Sequence, residues 1–443
     1  MPGHHPEHGI SPDSVTDRRA SDYMRRLRIL WLSHFVPFPP KGGCFQRTYN
    51  LLTRVAAHHD VHLLAMKHKR GAHPDEETRE ARTELLRHCA SVDIVDISQA
   101  TSTARLAMRG IRSVLSGSAL TVTVFDSPQF RAAVRTAIQE FAFDAAHLDT
   151  ISLAQYLDEL RSIPVVMTHH GAESFMIRRR IARERNLLLK GFFFAEWLAL
   201  RDYERRMCPR VATNVVVSAA DAKILADIAP ASRFVVIENG VDVDYFTPVQ
   251  HNASRTLVFA GRLDQYSNRE GILFFMREVW PSVRSAYRDA AIHIIGSNPP
   301  ESLLSLAKTD PNVKVHGFVP DVRPYFQSAC IAVCPIRDGG GTRIKVLDAL
   351  AQGIPIVATT IACEGIDVVP DRHLLVADTP EEFASQIKRI FEDANLRTAL
   401  AANGRALAER AYSWDAIAAK LGRVYGEAAI AGADRMVAAV APP

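Results

Sequence analysis

This chain has no stretch that reads as a membrane span. A crossing helix needs roughly 18 apolar residues in succession, and the longest candidate, 187–200, is interrupted by Lys190 and Glu196. The first 26 residues are rich in His, Ser, Asp and Arg and lack the apolar core of a secretory leader, so 1–26 is expected to be a solvated tail. His4, His5 and His8 fall in that tail and are read as solvated side chains, not a metal site. Cysteine is sparse. Six residues are scattered along the chain, and no second close pair joins Cys330 and Cys334 to complete a zinc site. They are expected to be reduced thiols of a cytoplasmic protein. The net charge is only +4, which gives no bulk case for nucleic acid. Neither a Ser-His-Asp constellation nor an H-E-x-x-H pattern is present, and no short internal repeat is seen.

What is present is alternation. With 443 residues, 47% of them apolar, the chain can build two or three globular domains. Short apolar strands are predicted at 27–33, 61–65, 92–95, 145–148, 165–168, 214–217 and 234–237, with helical spacing between most of them. A second series follows at 256–260, 291–295, 313–315, 331–333, 354–357 and 374–376. Strands alternating with helices imply parallel sheets covered on both faces. The fold class is therefore α/β, with two doubly wound Rossmann-like domains facing a central cleft. The expected divisions are a tail at 1–26, a first domain at 27–240, a second at 241–411, a helix at 412–431 with Ser413 as its N-cap, and a frayed end at 432–443. That helix is placed as a crossing back to the first domain. In such sheets ligands bind beyond the carboxyl ends of the strands.

The richest stretch is Gly339-Gly340-Gly341-Thr342-Arg343-Ile344-Lys345-Val346-Leu347-Asp348, which runs through a helix to Gly353 and a buried strand. Glycines let backbone amides approach a ligand, and the helix start behind them favours negative charge. Arg343 and Lys345 add cations, and Asp348 lies one turn on. This suits an anionic ligand such as a nucleoside diphosphate, although an ordinary αβ unit with a glycine turn has the same outline. Arg262 leaves a strand in Phe259-Ala260-Gly261-Arg262, where a guanidinium can clamp phosphate. Gly42 and Gly43 follow the first strand and can approach a phosphate or sugar, or form a rigid turn. Gly317 and Phe318 form another strand-end loop, suited to a flat base or to core filling. Two pairs in the first domain could supply acid–base groups: His147 with Asp149, and His169 with His170. All four follow apolar strands and are expected to point to the cleft.

One segment stands apart in charge. Residues 176–206 hold nine basic and four acidic side chains, a balance of +5 that exceeds the whole chain's +4. Phe192, Phe193, Phe194, Trp197 and Leu198 lie inside it. A basic helix with exposed aromatics can sit on an anionic membrane. A core helix with a solvated charged face has the same composition.

Together these motifs resemble the retaining family-four glycosyltransferases of GT-B fold. Val217-Ser218, Glu238-Asn239-Gly240-Val241-Asp242, Phe259-Ala260-Gly261-Arg262, Ile294-Ile295-Gly296, Val315-His316-Gly317-Phe318-Val319-Pro320-Asp321 and Glu364-Gly365-Ile366 occur in family order. The likeness runs from about Arg28 to Tyr425 and points to the bacterial exopolysaccharide-type subgroup. It implies sugar transfer from a nucleotide-diphosphate donor, with retention, to a glycan, lipid-linked or small-molecule acceptor. The enzyme would be cytoplasmic or held at the cytoplasmic face of a membrane, would need no metal or other cofactor, and would not bind nucleic acid. By resemblance, Arg262, Lys345, Arg343, Gly341, Thr342, Gly42 and Gly43 bind the donor diphosphate. Asp348, Gly317 and Phe318 take the ribose or base, and His147, Asp149 and His170 serve catalysis. The family often carries a glutamate at each end of the signature stretch, where this chain has Gly340 and Asp348. Asp338 lies close enough to substitute for the first. The family's frequent lysine after the Gly261-Arg262 loop is also missing, and Asn268 lies near that position. A non-catalytic sugar-nucleotide-binding subunit and a sugar-nucleotide epimerase are the alternatives that share this fold.

Overall fold

The computed structural model describes residues 25–40, 43–68, 75–97, 108–110, 112–113, 117–184, 186–248, 254–338 and 342–440. The expected tail at 1–26 lies outside them apart from Arg25 and Arg26, as do Gly42, Gly339, Gly340 and Gly341.

Two parallel sheets carry the fold. The first has seven strands: β1 Arg28–Ser33, β2 Asp60–Lys67, β3 Ser91–Asp96, β4 Ala145–Leu148, β5 Val165–His169, β6 Thr213–Val216 and β7 Phe234–Val236. Their order is β3-β2-β1-β4-β5-β6-β7. The second sheet has six: β8 Thr256–Ala260, β9 Ala291–Ile295, β10 Val313–Gly317, β11 Ile331–Cys334, β12 Ile356–Ala358 and β13 Leu375–Val376, ordered β10-β9-β8-β11-β12-β13. Each order reverses once, between β1 and β4 and between β8 and β11. A crevice opens at such a switch point because the connections on its two sides leave in opposite directions. The central strands are short, apolar and buried on both faces, as sheets covered by helices require, while the outer strands β3, β7 and β10 are only partly buried.

The helices that position the site are α1 Gly43–His58, α2 Glu173–Arg183, α3 Leu187–Met207, α4 Tyr266–Phe274, α5 Ile344–Ala351 and α6 Trp414–Val440. The last does not stop at 431. It runs on through Gly432, where a Cβ would stand 2.9 Å from Pro164 Cγ, so the glycine lets the helix pass close to the first sheet. The alanine-rich sequence beyond it favours helix, so the expected fraying at 432–443 does not occur through Val440. Trp414, Ile417, Leu421, Val424 and Tyr425 of α6 enter the core that holds Ile29, Trp31, Leu52 and Val55. Ser413 caps it, accepting from Ala416 N at 3.2 Å.

The junction between the halves is tied to both. Arg47 of α1 is buried and donates to Glu238 O (2.6 Å), Asn239 Oδ1 (3.1 Å) and Ile237 O (2.7 Å). Gly240 lies against the Trp414 indole, which is 2.6 Å from the position of a Cβ there. All six cysteines are free. Trp414 is 3% exposed, so Trp414→Ala is expected to lower the unfolding free energy by about 3–5 kcal/mol. The urea midpoint reads the change, and an unchanged midpoint would show that the junction stands without the indole.

Candidate functional site

The two switch points supply opposite walls of one cleft. In the first half, Asp149 follows β4 and is 2% exposed. Its Oδ2 accepts from Thr48 Oγ1 at 2.8 Å and from Ser33 Oγ at 3.5 Å. Its Oδ1 lies 3.5 Å from His170 Nε2 and 3.9 Å from His147 Nε2. Burial alone would raise this carboxyl. The two imidazoles outweigh burial and hold it well below the usual carboxylate range. His170 follows β5 and its side chain is 13% exposed, at the edge of the cleft floor.

His147 does not face the cleft. It is fully buried, stacked on Trp31 with ring centroids 3.8 Å apart, and its Nδ1 is 2.7 Å from the Tyr425 hydroxyl. The physical reason is strand geometry. His147 is still within β4, so its side chain leaves through a sheet face into the packing with α6. His169, inside β5, is likewise buried, and its Nε2 lies 3.0 Å from Asn214 Oδ1. Both are buried in the packing of the first sheet, with His147 still 3.9 Å from Asp149.

Two neighbours of Asp149 and His170 were not anticipated. His34 follows β1, and its ring centroid is 6.3 Å from that of His170. Burial pulls its pKa down to about 3 against the pull of Asp149, so the ring is neutral. Its buried Nδ1 has no hydrogen-bond partner among the described residues. Glu173 opens α2 and accepts from Thr150 Oγ1 at 2.8 Å, and burial raises its carboxyl. The available signal was position, since His34 stands just past a strand end, as Asp149 and His170 do.

In the second half, Lys345 comes from the first turn of α5. Its Nζ donates to Asn268 Oδ1 at 2.6 Å and stands 4.7 Å from the centroid of the Phe259 ring. A Cβ at Gly261 would collide with this ammonium. Burial lowers the Lys345 pKa to about 8, and it raises Asp348, one turn on, to about 7 against the pull of Lys345. Asn268 also donates to Arg262 O at 2.9 Å, so the residue near the expected lysine position ties Lys345 to the Gly261 loop. Gly296 N donates to Gly317 O at 2.8 Å, and a Cβ at Gly296 would strike the Gly261 carbonyl. Glycines thus draw the ends of β8, β9 and β10 together. Gly317 has φ +66°, and Phe318 beside it is 74% exposed, free to stack on a flat group.

Other anticipated residues are otherwise engaged. The Arg262 side chain is 62% exposed and grips Asp264 in its own loop, Nη2 to Oδ2 at 2.6 Å and Nε to Oδ1 at 3.1 Å. It therefore does not join Lys345 in a two-cation site here. Thr342 is buried and its hydroxyl donates to Val217 O across the cleft at 3.2 Å, so it is spent on joining the two halves. Asp338 is ion-paired with Arg179 of α2, also across the cleft. Arg343 occupies the N-cap position of α5 without a side-chain capping bond, and burial lowers its pKa. A Cβ at Gly43 would lie 3.8 Å from Ile344 Cδ1, so the start of α1 meets the start of α5. Gly42 and Gly341 lie outside the described residues. Among the described residues no group of three or more His, Cys, Asp or Glu is placed to hold a metal ion.

Two families match this chain, one over each half. Residues 41–245 match "Glycosyltransferase Family 4", and residues 254–393 match "Glycosyl transferases group 1". The chain is 30% identical over 212 residues to the GDP-mannose-dependent monoacylated alpha-(1-6)-phosphatidylinositol monomannoside mannosyltransferase of Corynebacterium glutamicum, covering 42% of this chain and 55% of that protein. It is 28% identical over 257 residues to the D-inositol 3-phosphate glycosyltransferase of Salinispora arenicola, covering 50% and 55%. The chain thus spans about half the length of these curated relatives. The structure of sucrose-phosphate synthase from Thermosynechococcus elongatus is similar with a TM-score of 0.63 at 18% identity, over 92% of this chain and 100% of that one. Anabaena HepE in complex with UDP gives 0.62 at 13%, over 90% and 100%. At such identities the structures establish the fold, which is GT-B. Each half thus resembles a glycosyltransferase domain in sequence, and the whole chain has the GT-B fold.

The depressed Lys345 pKa gives a testable sign. Above about 8 the folded protein loses this proton while an unfolded lysine, near 10.5, keeps it. Stability therefore gains from this group as pH rises from 8 to 10.5, while attraction for a polyanion falls. Pyrophosphate affinity is expected to drop about tenfold per pH unit above that point, and Lys345→Met should flatten the profile. Calorimetric titration across pH checks both, and a wild-type profile without a break near pH 8 would count against this placement of the charge.

Proposed function

We propose that this protein is a retaining glycosyltransferase that moves a sugar from a nucleotide-diphosphate donor to a glycan, lipid-linked or small-molecule acceptor. The observation that carries the reading is the Lys345 ammonium held at one switch point, with the Asp149–His170 pair at the other. The donor lies against the second half. Lys345 and the amides at the start of α5 take the diphosphate charge. Arg343 and, once released from Asp264, Arg262 add to that charge. Asp348 holds a ribose hydroxyl, and Phe318 stacks on the base beside the Gly317 backbone.

The acceptor enters from the first half. Its oxygen attacks the anomeric carbon on the face the leaving group departs from. The new C–O bond forms as the bond to the diphosphate oxygen breaks, and the acceptor proton passes to that phosphate. Asp149 keeps His170 oriented, and His170 polarises a hydroxyl of the sugar or acceptor. The reading needs no metal, since fixed cations and helix amides supply the stabilising charge. It makes the enzyme cytoplasmic or held at the cytoplasmic face of a membrane, in polysaccharide or glycolipid assembly of the exopolysaccharide type. The family matches and the transferase relatives favour this over an epimerase or a non-catalytic subunit.

The base and sugar are the first things to determine. One relative's name specifies GDP-mannose, and the HepE complexes contain UDP or UDP-glucose. A thermal-shift panel of UDP, GDP, ADP and their sugar conjugates is expected to single out one nucleotide. Lys345→Ala should then cut turnover of that donor by about 10²–10³. Near-normal turnover would overturn the diphosphate placement, and conversion of the free donor without acceptor would favour the epimerase.

A further inference from the structure

The hairpin formed by α2 and α3 sorts its side chains in a way the sequence alone does not show. Of the twelve exposed large apolar residues among those described, six lie on this hairpin. At its tip Leu187 is 81% exposed and Leu188 86%. Leu189, Phe194, Leu198 and Met176 are each about half exposed. Leu187, Phe194 and Leu198 recur at helical spacing along one side of α3. Phe193, Glu196, Leu200 and Glu204 form the opposite, buried side.

The charges are sorted as well. Glu196 is turned inward, where it accepts from Leu120 N at 2.8 Å and Thr121 N at 2.9 Å. Glu204 is buried and accepts from Ser174 N at 3.0 Å. Asp202 is taken up by Arg205 and Arg206 of its own helix, at 2.7 and 2.8 Å. Three of the four acidic groups are thus withdrawn or paired. Arg178, Arg180 and Lys190 stay exposed toward the tip, and Arg201 is exposed farther along α3. An apolar tip ringed by cations is complementary to a bilayer with anionic headgroups. The cations meet phosphate at the depth where the leucines leave water.

We propose that this hairpin docks the protein on an anionic lipid bilayer, with Leu187, Leu188 and Leu189 inserted and Lys190 and Arg178 at the headgroups. The base of the hairpin reaches the cleft, through Glu173 on its floor and through Arg179, which pairs with Asp338 of the opposite wall. Docking by the tip therefore turns the hairpin side of the cleft toward the bilayer. Delivery of a lipid-carried acceptor into that opening rests on the transferase reading; the docking itself does not.

The test is flotation of the full chain with vesicles of phosphatidylglycerol and, separately, of phosphatidylcholine. Binding is expected on phosphatidylglycerol alone and should weaken steeply toward 1 M salt, where the screening length falls to about 3 Å. The double variant Leu187→Ser/Leu188→Ser and the charge reversal Lys190→Glu should each lower vesicle affinity about tenfold or more. Leu86→Ser, at an exposed leucine elsewhere, should leave it unchanged. These side chains are exposed, so melting temperature and donor-induced shifts should stay at wild-type values, which separates docking from the transferase reading. Absence of binding to phosphatidylglycerol, equal effects of the hairpin and Leu86 variants, or a wild-type dimer that the leucine variant dissociates would each overturn the proposal.

Discussion

The cleft depends on one buried guanidinium. Arg47 sits where α1, the chain junction and the first core meet, and burial lowers its pKa to about 10 despite Asp149 and Glu238 nearby. Burying such a charge is costly unless its hydrogen bonds are satisfied. Here the fork spans three acceptors of the junction, residues 237 to 239, which a lysine's point charge could not match. The next residue on the same helix, Thr48, holds Asp149. One turn of α1 therefore grips the junction with one side chain and the cleft floor with the next, while its first residue, Gly43, meets Ile344 across the cleft. Lys420 of α6 adds a second tie to the same junction, its Nζ 2.8 Å from Glu238 Oε2. The position of the second half against the first is thus set by charged hydrogen bonds to a short piece of backbone, backed by the Trp414 indole on Gly240.

The second half solves a different problem. On the proposed reading Lys345 meets a polyanion, and such a cation has to be kept partly dehydrated yet pointed outward. Gly261 removes the side chain that would displace the Lys345 ammonium, Phe259 offers it a ring face, and Asn268 gives it one neutral acceptor. No carboxylate makes an ion pair with it among the described residues. A full ion pair would neutralise the charge before a ligand arrived. A neutral acceptor fixes its place and leaves the charge available.

Much of this was legible from residue order. Every predicted strand exists, because short β-branched runs bounded by glycine, proline or polar residues leave little choice. Their ends moved by a residue or two. The strand expected at 354–357 begins at Ile356, because Gly353 takes φ +64° to end the helix before it. The error at His147 is more instructive. It was grouped with Asp149 as though both lay past the end of β4, but alternation sends the last residues of a strand into the packing on its faces. The residues just past the strand ends are the ones that turn into the cleft. On that rule Asp149, His170 and His34 belong together, and His147 and His169 do not. Arg262 was hard to read for another reason. Asp264, two residues on, claims its guanidinium, and such local pairing cannot be told from sequence when both groups could equally face a ligand. Thr342 and Asp338 were illegible in principle, since their partners Val217 and Arg179 come from the other half of the chain.

Those two cross-cleft contacts bear on how a sugar could be recognised. At the first end of the signature stretch this chain has Gly340, which offers no carboxylate, and the nearby Asp338 is held by Arg179. A hydroxyl-rich group placed there would compete with a guanidinium for Asp338, and a charge-assisted pair is the stronger of the two bonds. Among the described residues, Asp338 shares a cavity with Tyr266, Ser267, Glu270 and Arg337 of its own half, while His170, His34 and Glu173 gather around Asp149 on the first. On the proposed reading, the sugar hydroxyls then meet polar groups on both walls of the cleft, and the setting of the two halves held by Arg47 and Trp414 fixes the distance of those groups from Lys345.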